Sequence, residues 1–242
     1  SNMGTGGGVF LYDSDAIFSR TVIHGNRAKF GAGIYGQSST STLDNSVVSS
    51  NVSSSQSGTG AAFYLISASA TLTYSTVIYN VDASFSGSAI VGVFLTSDSS
   101  SFSSFSSIVA FNGVSSQDNI GPTGSRAALL WKDSDVYAFD SLSESAYSYE
   151  PYFVDLGARN YHLTVDDALY DLGDPDEFDL DGTRAGLGMF GGAGGGAWDK
   201  DGDLLPDYFW PGGVCDAPDG FDAFEYDSDD WDAAVGVMSS CL

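Results

Sequence analysis

The chain has 242 residues and a formal net charge of −24, from 32 acidic and 8 basic side chains. Such a surface repels nucleic-acid phosphates and anionic lipid and attracts cations, which argues against nucleic-acid binding. No run of about 18 apolar residues is present, so no membrane-spanning helix is predicted.

The opening Ser1-Asn2-Met3-Gly4-Thr5-Gly6 carries no signal-peptide pattern. It reads as a cut inside a longer repeat array, as a processed precursor, or, at Ser1-Asn2, as a cloning remnant. A six-residue pattern then appears four times. It reads Thr21-Val22-Ile23-His24-Gly25-Asn26, Ser46-Val47-Val48-Ser49-Ser50-Asn51, Ser75-Thr76-Val77-Ile78-Tyr79-Asn80 and Ser107-Ile108-Val109-Ala110-Phe111-Asn112. The rule is hydroxyl, any residue, Val or Ile, two of any kind, Asn. The Asn-to-Asn spacings are 25, 29 and 32 residues. A second landmark, at Gly8-Val9, Gly33-Ile34, Ala62-Phe63 and Gly92-Val93, precedes each Asn by 18, 18, 18 and 20 residues. The constant core and variable connector mark tandem structural units.

Val, Ile, Phe, Tyr and Thr fill these units and Gly, Asn, Asp and Ser separate them, as in strands joined by tight corners. No segment of the first 120 residues shows an apolar helical period. The expected fold is all-β, a right-handed parallel β-helix (solenoid) with a C-terminal cap, in which successive turns lie about 4.8 Å apart. Ile23, Val48, Val77 and Val109 then form an internal aliphatic stack. Asn26, Asn51, Asn80 and Asn112 form a structural ladder at a corner, where Asn tolerates left-handed backbone. Asn51-Val52-Ser53 also matches a glycosylation sequon. A fifth, degenerate unit follows at Ala127–Trp131 and Ser134–Tyr137, with Phe139 at the Asn position.

The phrase Gly31-Ala32-Gly33-Ile34-Tyr35 and the hydroxyl-to-Asn units resemble bacterial right-handed parallel β-helix repeat proteins of the pectate-lyase-like and polymorphic outer-membrane-protein-like group. Glu150–Asp155, Asn160–Leu163, Asp171–Pro175, Asp179–Arg184 and Gly188–Gly192 resemble the closing region of such proteins. The resemblance covers residues 4–192, the predicted first domain with its cap. It implies a secreted or surface-exposed protein and no particular activity, since one architecture hosts enzymes, adhesins and structural proteins. Tyr152, Phe153, Val154, Tyr161, Leu163, Leu169, Leu172 and Phe190 are expected to plug the last turn.

Residues 193–198 read as a Gly-rich linker. An acidic tail over 199–242 follows. It contains Asp199-Lys200-Asp201-Gly202-Asp203-Leu204-Leu205-Pro206-Asp207. Carboxylates at Asp199, Asp201, Asp203 and Asp207 alternate so as to converge on one hard cation, and calcium is the expected cofactor. The loop is similar to those of thrombospondin type 3 and dockerin-like segments. It lacks the Gly and the bidentate acid of an EF-hand, with Leu204 and Trp210 in those places. Asp174, Asp176, Asp179 and Asp181 read as a turn before a second metal site. Cys215 and Cys241 bracket much of the tail and suggest a disulfide in an oxidising, extracellular compartment; two free thiols are the alternative.

No catalytic residues are assigned. Asp13 and Asp15 lie on one strand face, yet a lone surface pair is ordinarily solvated. His24 and His162 have no Ser–Asp arrangement that makes a triad. Thr71-Leu72-Thr73 is an isolated Thr-x-Thr unit, too little for ice binding. The resulting expectation is a non-enzymatic, calcium-stabilised structural or adhesive protein at the cell surface or outside the cell. Head-to-tail self-association into a filament and surface carbohydrate are the expected partners. The alternative is a polysaccharide lyase or glycoside hydrolase.

Overall fold

A computed structural model describes residues 4–54, 60–82, 93–95, 100–110, 112–114, 129–130, 135–139, 151–155, 159–164, 167, 169–179 and 182–195. Each repeat contributes one short strand to each of up to four parallel sheets. The first sheet runs β1 (Val9–Tyr12), β5 (Ile34–Gln37), β9 (Phe63–Ile66), β13 (Val93–Leu95) and β17 (Leu129–Leu130). The second holds β2 (Asp15–Ser19), β6 (Thr40–Asp44), β10 (Ser69–Thr73), β14 (Ser101–Phe105) and β18 (Asp135–Phe139). The third holds β3 (Val22–His24), β7 (Val47–Ser49), β11 (Thr76–Ile78) and β15 (Ile108–Ala110). The fourth holds β4 (Arg27–Ala28), β8 (Val52–Ser53), β12 (Val81–Asp82) and β16 (Gly113–Val114).

Left-handed corners separate the strands. Asp13, Ser38 and Ser67 occupy one, at φ 48°, 51° and 48°; Arg20, Asn45, Tyr74 and Ser106 the next, at 47°, 41°, 43° and 46°. Gly25, Ser50 and Tyr79 form a third, at 68°, 53° and 56°. One such residue turns the chain sharply, which keeps the strands two to five residues long.

Inward positions stack in register. Ile23 pairs with Val48, Val48 with Val77, and Val77 with Val109. Around this column Ile34, Leu43, Phe63, Leu72 and Phe102 are buried, with Phe63 and Phe102 edge to face at 5.4 Å. The small landmark residues have a packing reason. A Cβ on Gly33 would lie 2.6 Å from Ala62 O and 3.0 Å from a Val48 methyl, and one on Gly8 would lie 2.7 Å from Asn26 Nδ2.

The C-terminal segment departs from the repeats. β19 (Phe153–Asp155) and β20 (Asn160–Leu163) pair antiparallel, turns follow, and α1 (Gly192–Gly195) occupies the start of the predicted linker. Phe153, Tyr161, Leu163, Leu169, Leu187 and Met189 bury themselves against Val47, Ile78, Ile108 and Ala110 of the third sheet. Asn45 Nδ2 donates to Met189 O (3.1 Å) and Gly191 O (2.8 Å), Met189 N donates to Thr76 Oγ1 (3.0 Å), and Gly188 N donates to Ser106 O (3.0 Å).

The expected right-handed parallel β-helix over 4–192 with a C-terminal cap is therefore corrected. The all-β class agrees with the structure, but the described strands form five separate short sheets, four parallel and one antiparallel. Of the predicted plug residues, Phe153, Tyr161, Leu163, Leu169, Leu172 and Phe190 pack on the flank of the second to fourth repeats, whereas Tyr152 and Val154 are exposed. The physical cause is the third sheet's outer face. It is apolar through Val47, Ile78 and Ile108, and it demands a cover.

Candidate functional site

The predicted ladder residues come together. The main-chain N–H groups of Asn26, Asn51 and Asn80 each donate to the side-chain oxygen of the next Asn, at 3.0, 3.1 and 3.0 Å. Their Nδ2 groups donate to the same oxygens at 2.9, 2.8 and 2.8 Å. Nδ2 of Asn51, Asn80 and Asn112 also donates back to Ile23 O, Val48 O and Val77 O, at 2.9, 2.8 and 2.9 Å. Each inner amide is thus satisfied inside a buried column. One part of the expectation is wrong. The left-handed residue is the one before the Asn, at Gly25, Ser50 and Tyr79. Asn is used here for its amide, and its neighbour makes the bend. Asn51 is fully buried, so the sequon at Asn51-Val52-Ser53 is closed to modification in the folded chain.

Sequence reasoning included the hydroxyl position in the pattern and missed its role. Oγ of Ser46, Ser75 and Ser107 donates to the carbonyl two residues back (2.8, 2.9 and 2.7 Å). It accepts from the N–H of the equivalent residue one repeat earlier, Thr21, Ser46 or Ser75 (3.0, 3.1 and 2.9 Å). A Ser or Thr at a fixed distance before the Asn was the available signal.

Two regular surfaces result. On the second sheet the outward positions alternate strictly with buried ones. Thr40, Ser69 and Ser101 share one rank, Thr42, Thr71 and Ser103 the next. On the first repeat's strand Asp15 continues the first rank and Ile17 the second. Ranks repeat about 4.8 Å across the strands and about 6.6 Å along them. Thr71 is therefore not isolated: its partners are a Thr and a Ser on adjacent strands. On the first sheet Phe10, Tyr35 and Tyr64 stack with centroids 5.0 and 5.6 Å apart and planes 4° and 10° from parallel. The rings occupy one another's faces, which leaves Tyr35 only 7% exposed and Phe10, at the end of the row, 52%.

Where the third sheet meets the flank segment, His24 Nδ1 lies 2.9 Å from Ser49 Oγ. Ser49 is fully buried, so the pair is not an accessible nucleophile and base. Burial, and secondly the charge of Arg159, lower the His24 pKa to about 4, which keeps its ring neutral. Burial raises Tyr161 to about 12. The Asp13–Asp15 pair is dispersed, with Asp13 at a left-handed corner and Asp15 Oδ1 accepting from Thr40 N at 3.2 Å. Asp179 accepts from Gly186 N (2.8 Å) and Gly192 N (2.6 Å), and Asp174 from Asp176 N (2.9 Å), as turn residues do, while Asp181 lies outside the described residues.

The predicted calcium ligands Asp199, Asp201, Asp203 and Asp207, and Cys215 and Cys241, lie outside the described residues. Among the described residues no three His, Cys, Asp or Glu side chains converge on a metal position. Nor is any described helix long and apolar enough to cross a membrane. Comparison with protein-family models, curated proteins and solved structures finds no match to this chain.

Proposed function

We propose that this chain is a structural and adhesive protein that works at the cell surface or outside the cell, presenting a rigid polar face to a carbohydrate-rich partner. The observation that carries the reading is the ranked hydroxyl face of β6, β10 and β14. Ladders bonded at every inner repeat fix the spacing of those ranks, so the hydroxyls are held in a lattice with little entropy left to lose on binding. Thr and Ser hydroxyls donate and accept, as sugar hydroxyls do. Calcium is the proposed cofactor of the acidic tail, through Asp199, Asp201, Asp203 and Asp207. The proposed compartment rests on that calcium pattern and on the late cysteine pair.

The test is retention of the purified chain on insoluble polysaccharides. Wild-type protein is expected to be retained, and a Thr42→Lys/Thr71→Lys variant to pass through with its melting temperature nearly unchanged. Equal retention of both removes the face from the reading. Thermal unfolding in calcium and in chelator tests the cofactor: a higher midpoint in calcium is expected, and no shift discards it.

A further inference from the structure

Between β20 and α1 the chain turns at Gly173-Asp174-Pro175-Asp176-Glu177, which contains its only Asp–Pro pair. Proline has no N–H, so the first amide able to reach back to the Asp174 side chain is that of Asp176. It donates to Asp174 Oδ1 at 2.9 Å. The ring closed by that bond contains the Asp174 carbonyl carbon and the Pro175 nitrogen, so the carboxyl is folded toward the Asp174–Pro175 peptide bond. The carbonyl oxygen of the same peptide accepts from Glu177 N at 3.2 Å. A donor there is placed to stabilise negative charge on that oxygen.

One buried residue fixes both ends of the turn. Gly173 N donates to Ala185 O (2.7 Å), and Ala185 N donates to Glu177 O (3.0 Å). The Arg184 guanidinium adds a bond to Gly173 O. The tip is open: Pro175, Asp176 and Glu177 are exposed, so water reaches the bond. The buried Tyr74 hydroxyl lies near Asp174 and Glu177, and burial first, with those two charges after it, raises its pKa to about 12. It keeps its proton in mild acid and presents a donor to the turn. A nucleophile, a donor for the carbonyl oxygen and water are thus held around one peptide bond.

We propose that Asp174–Pro175 is a self-cleavage site, at which the Asp174 carboxyl cuts its own main chain. A carboxyl oxygen bonds to the Asp174 carbonyl carbon and closes a five-membered cyclic anhydride. The C–N bond to Pro175 breaks, and the nitrogen leaves with a proton as a secondary amine. Water then opens the anhydride. One water is consumed, and the products end at Asp174 and begin at Pro175. Asn45 and Thr76 bind Met189, beyond the cut, so the second piece stays on the repeats and the product is a nicked molecule.

Intact-mass measurement of the full chain, denatured after timed incubation in mild acid, tests it. Two fragments, 1–174 and 175–242, are expected, with masses that sum to the chain plus one water. Asp–Pro bonds also hydrolyse slowly in unfolded chains, so the reference is the same chain incubated in guanidinium. The folded chain is expected to be cut about tenfold faster or more. Asp174→Asn is expected to abolish the cut, and Asp174→Glu, which enlarges the ring by one atom, to slow it about tenfold. A folded chain that stays intact, or is cut no faster than the unfolded one, overturns the proposal whether or not the variants fold. So does a cut that persists undiminished in Asp174→Asn.

Discussion

The repeats and the flank segment are held by opposite means. In the repeats the same atoms make the same contact again and again: Asn to Asn three times, and hydroxyl to N–H three times. In the flank each contact occurs once. Asn45 holds two carbonyls, Thr76 holds Met189, and Asp179 holds two N–H groups. Redundancy fixes a register, because any slip breaks every rung together. Single contacts fix only the residues they touch, so damage should spread through the repeats and stay local in the flank.

The largest effect is expected from Asn80→Ala. That side chain accepts from Asn51 N and Nδ2 and donates to Val48 O and Asn112 Oδ1, all buried. Stranding several of these groups should cost about 3 kcal/mol or more. Asn26→Ala, at the end of the ladder, should cost about 1 kcal/mol. Urea unfolding of the pair is the measurement. Equal losses would mean that the ladder is not the cooperative element described here.

Gly188→Ala probes the flank. Gly188 has φ +91°, and its Cβ would lie 2.9 Å from both Ile108 Cδ1 and Thr76 Oγ1. Strain and overpacking together should cost about 2 kcal/mol. Hydrogen exchange should quicken around 186–191, while the N–H groups of Asn51 and Asn80 keep their protection. Loss of protection in the ladder would show that the flank supports the register of the repeats.

The corners allow a finer cut. Gly25, Ser50 and Tyr79 share one left-handed position, and a Cβ on Gly25 meets nothing within 4 Å. Gly25→Ala therefore isolates the backbone cost, about 1 kcal/mol. A calorimetric loss far above that would reveal a contact that the geometry does not contain.

What was legible followed the same division. Spacing alone aligned Asn26 with Asn51, Asn80 and Asn112, and Ile23 with Val48, because repetition puts the register into the sequence. The docking of 152–195 left no such trace: Asn45 and Met189 are 144 residues apart and meet once. A weaker signal was present. Val47-Val48 and Ile108-Val109-Ala110 are continuous apolar runs, whereas Thr40–Asp44 and Ser69–Thr73 alternate. The first kind is covered on both faces and the second on one. The hydroxyl ranks escaped notice because they cross strands and mix Ser with Thr, so no single strand displays them. The acidic loop that carries the calcium reading was legible only as a pattern, and the described residues neither contain it nor bear on it.

The smallest expected effect lies where the two regions touch. His24 belongs to the repeats and Arg159 to the flank. Burial first, and Arg159 second, hold the His24 pKa near 4 against an ordinary 6.5. Below pH 6.5 the unfolded chain takes up a proton that the folded ring refuses. Stability from this group is therefore complete above 6.5, falls as the pH drops toward 4, and changes no further below that. The ring is part-exposed, so solvent screening reduces the loss to about 1 kcal/mol. Aspartates titrate near the lower limit, and the measurement must be a difference. Stability of wild type minus His24→Asn should drop between pH 6.5 and 4.5, where carboxylates contribute least. Arg159→Gln should shrink that drop, because it removes the second cause and leaves burial. A drop untouched by Arg159→Gln would mean that the flank reaches the repeats through packing alone.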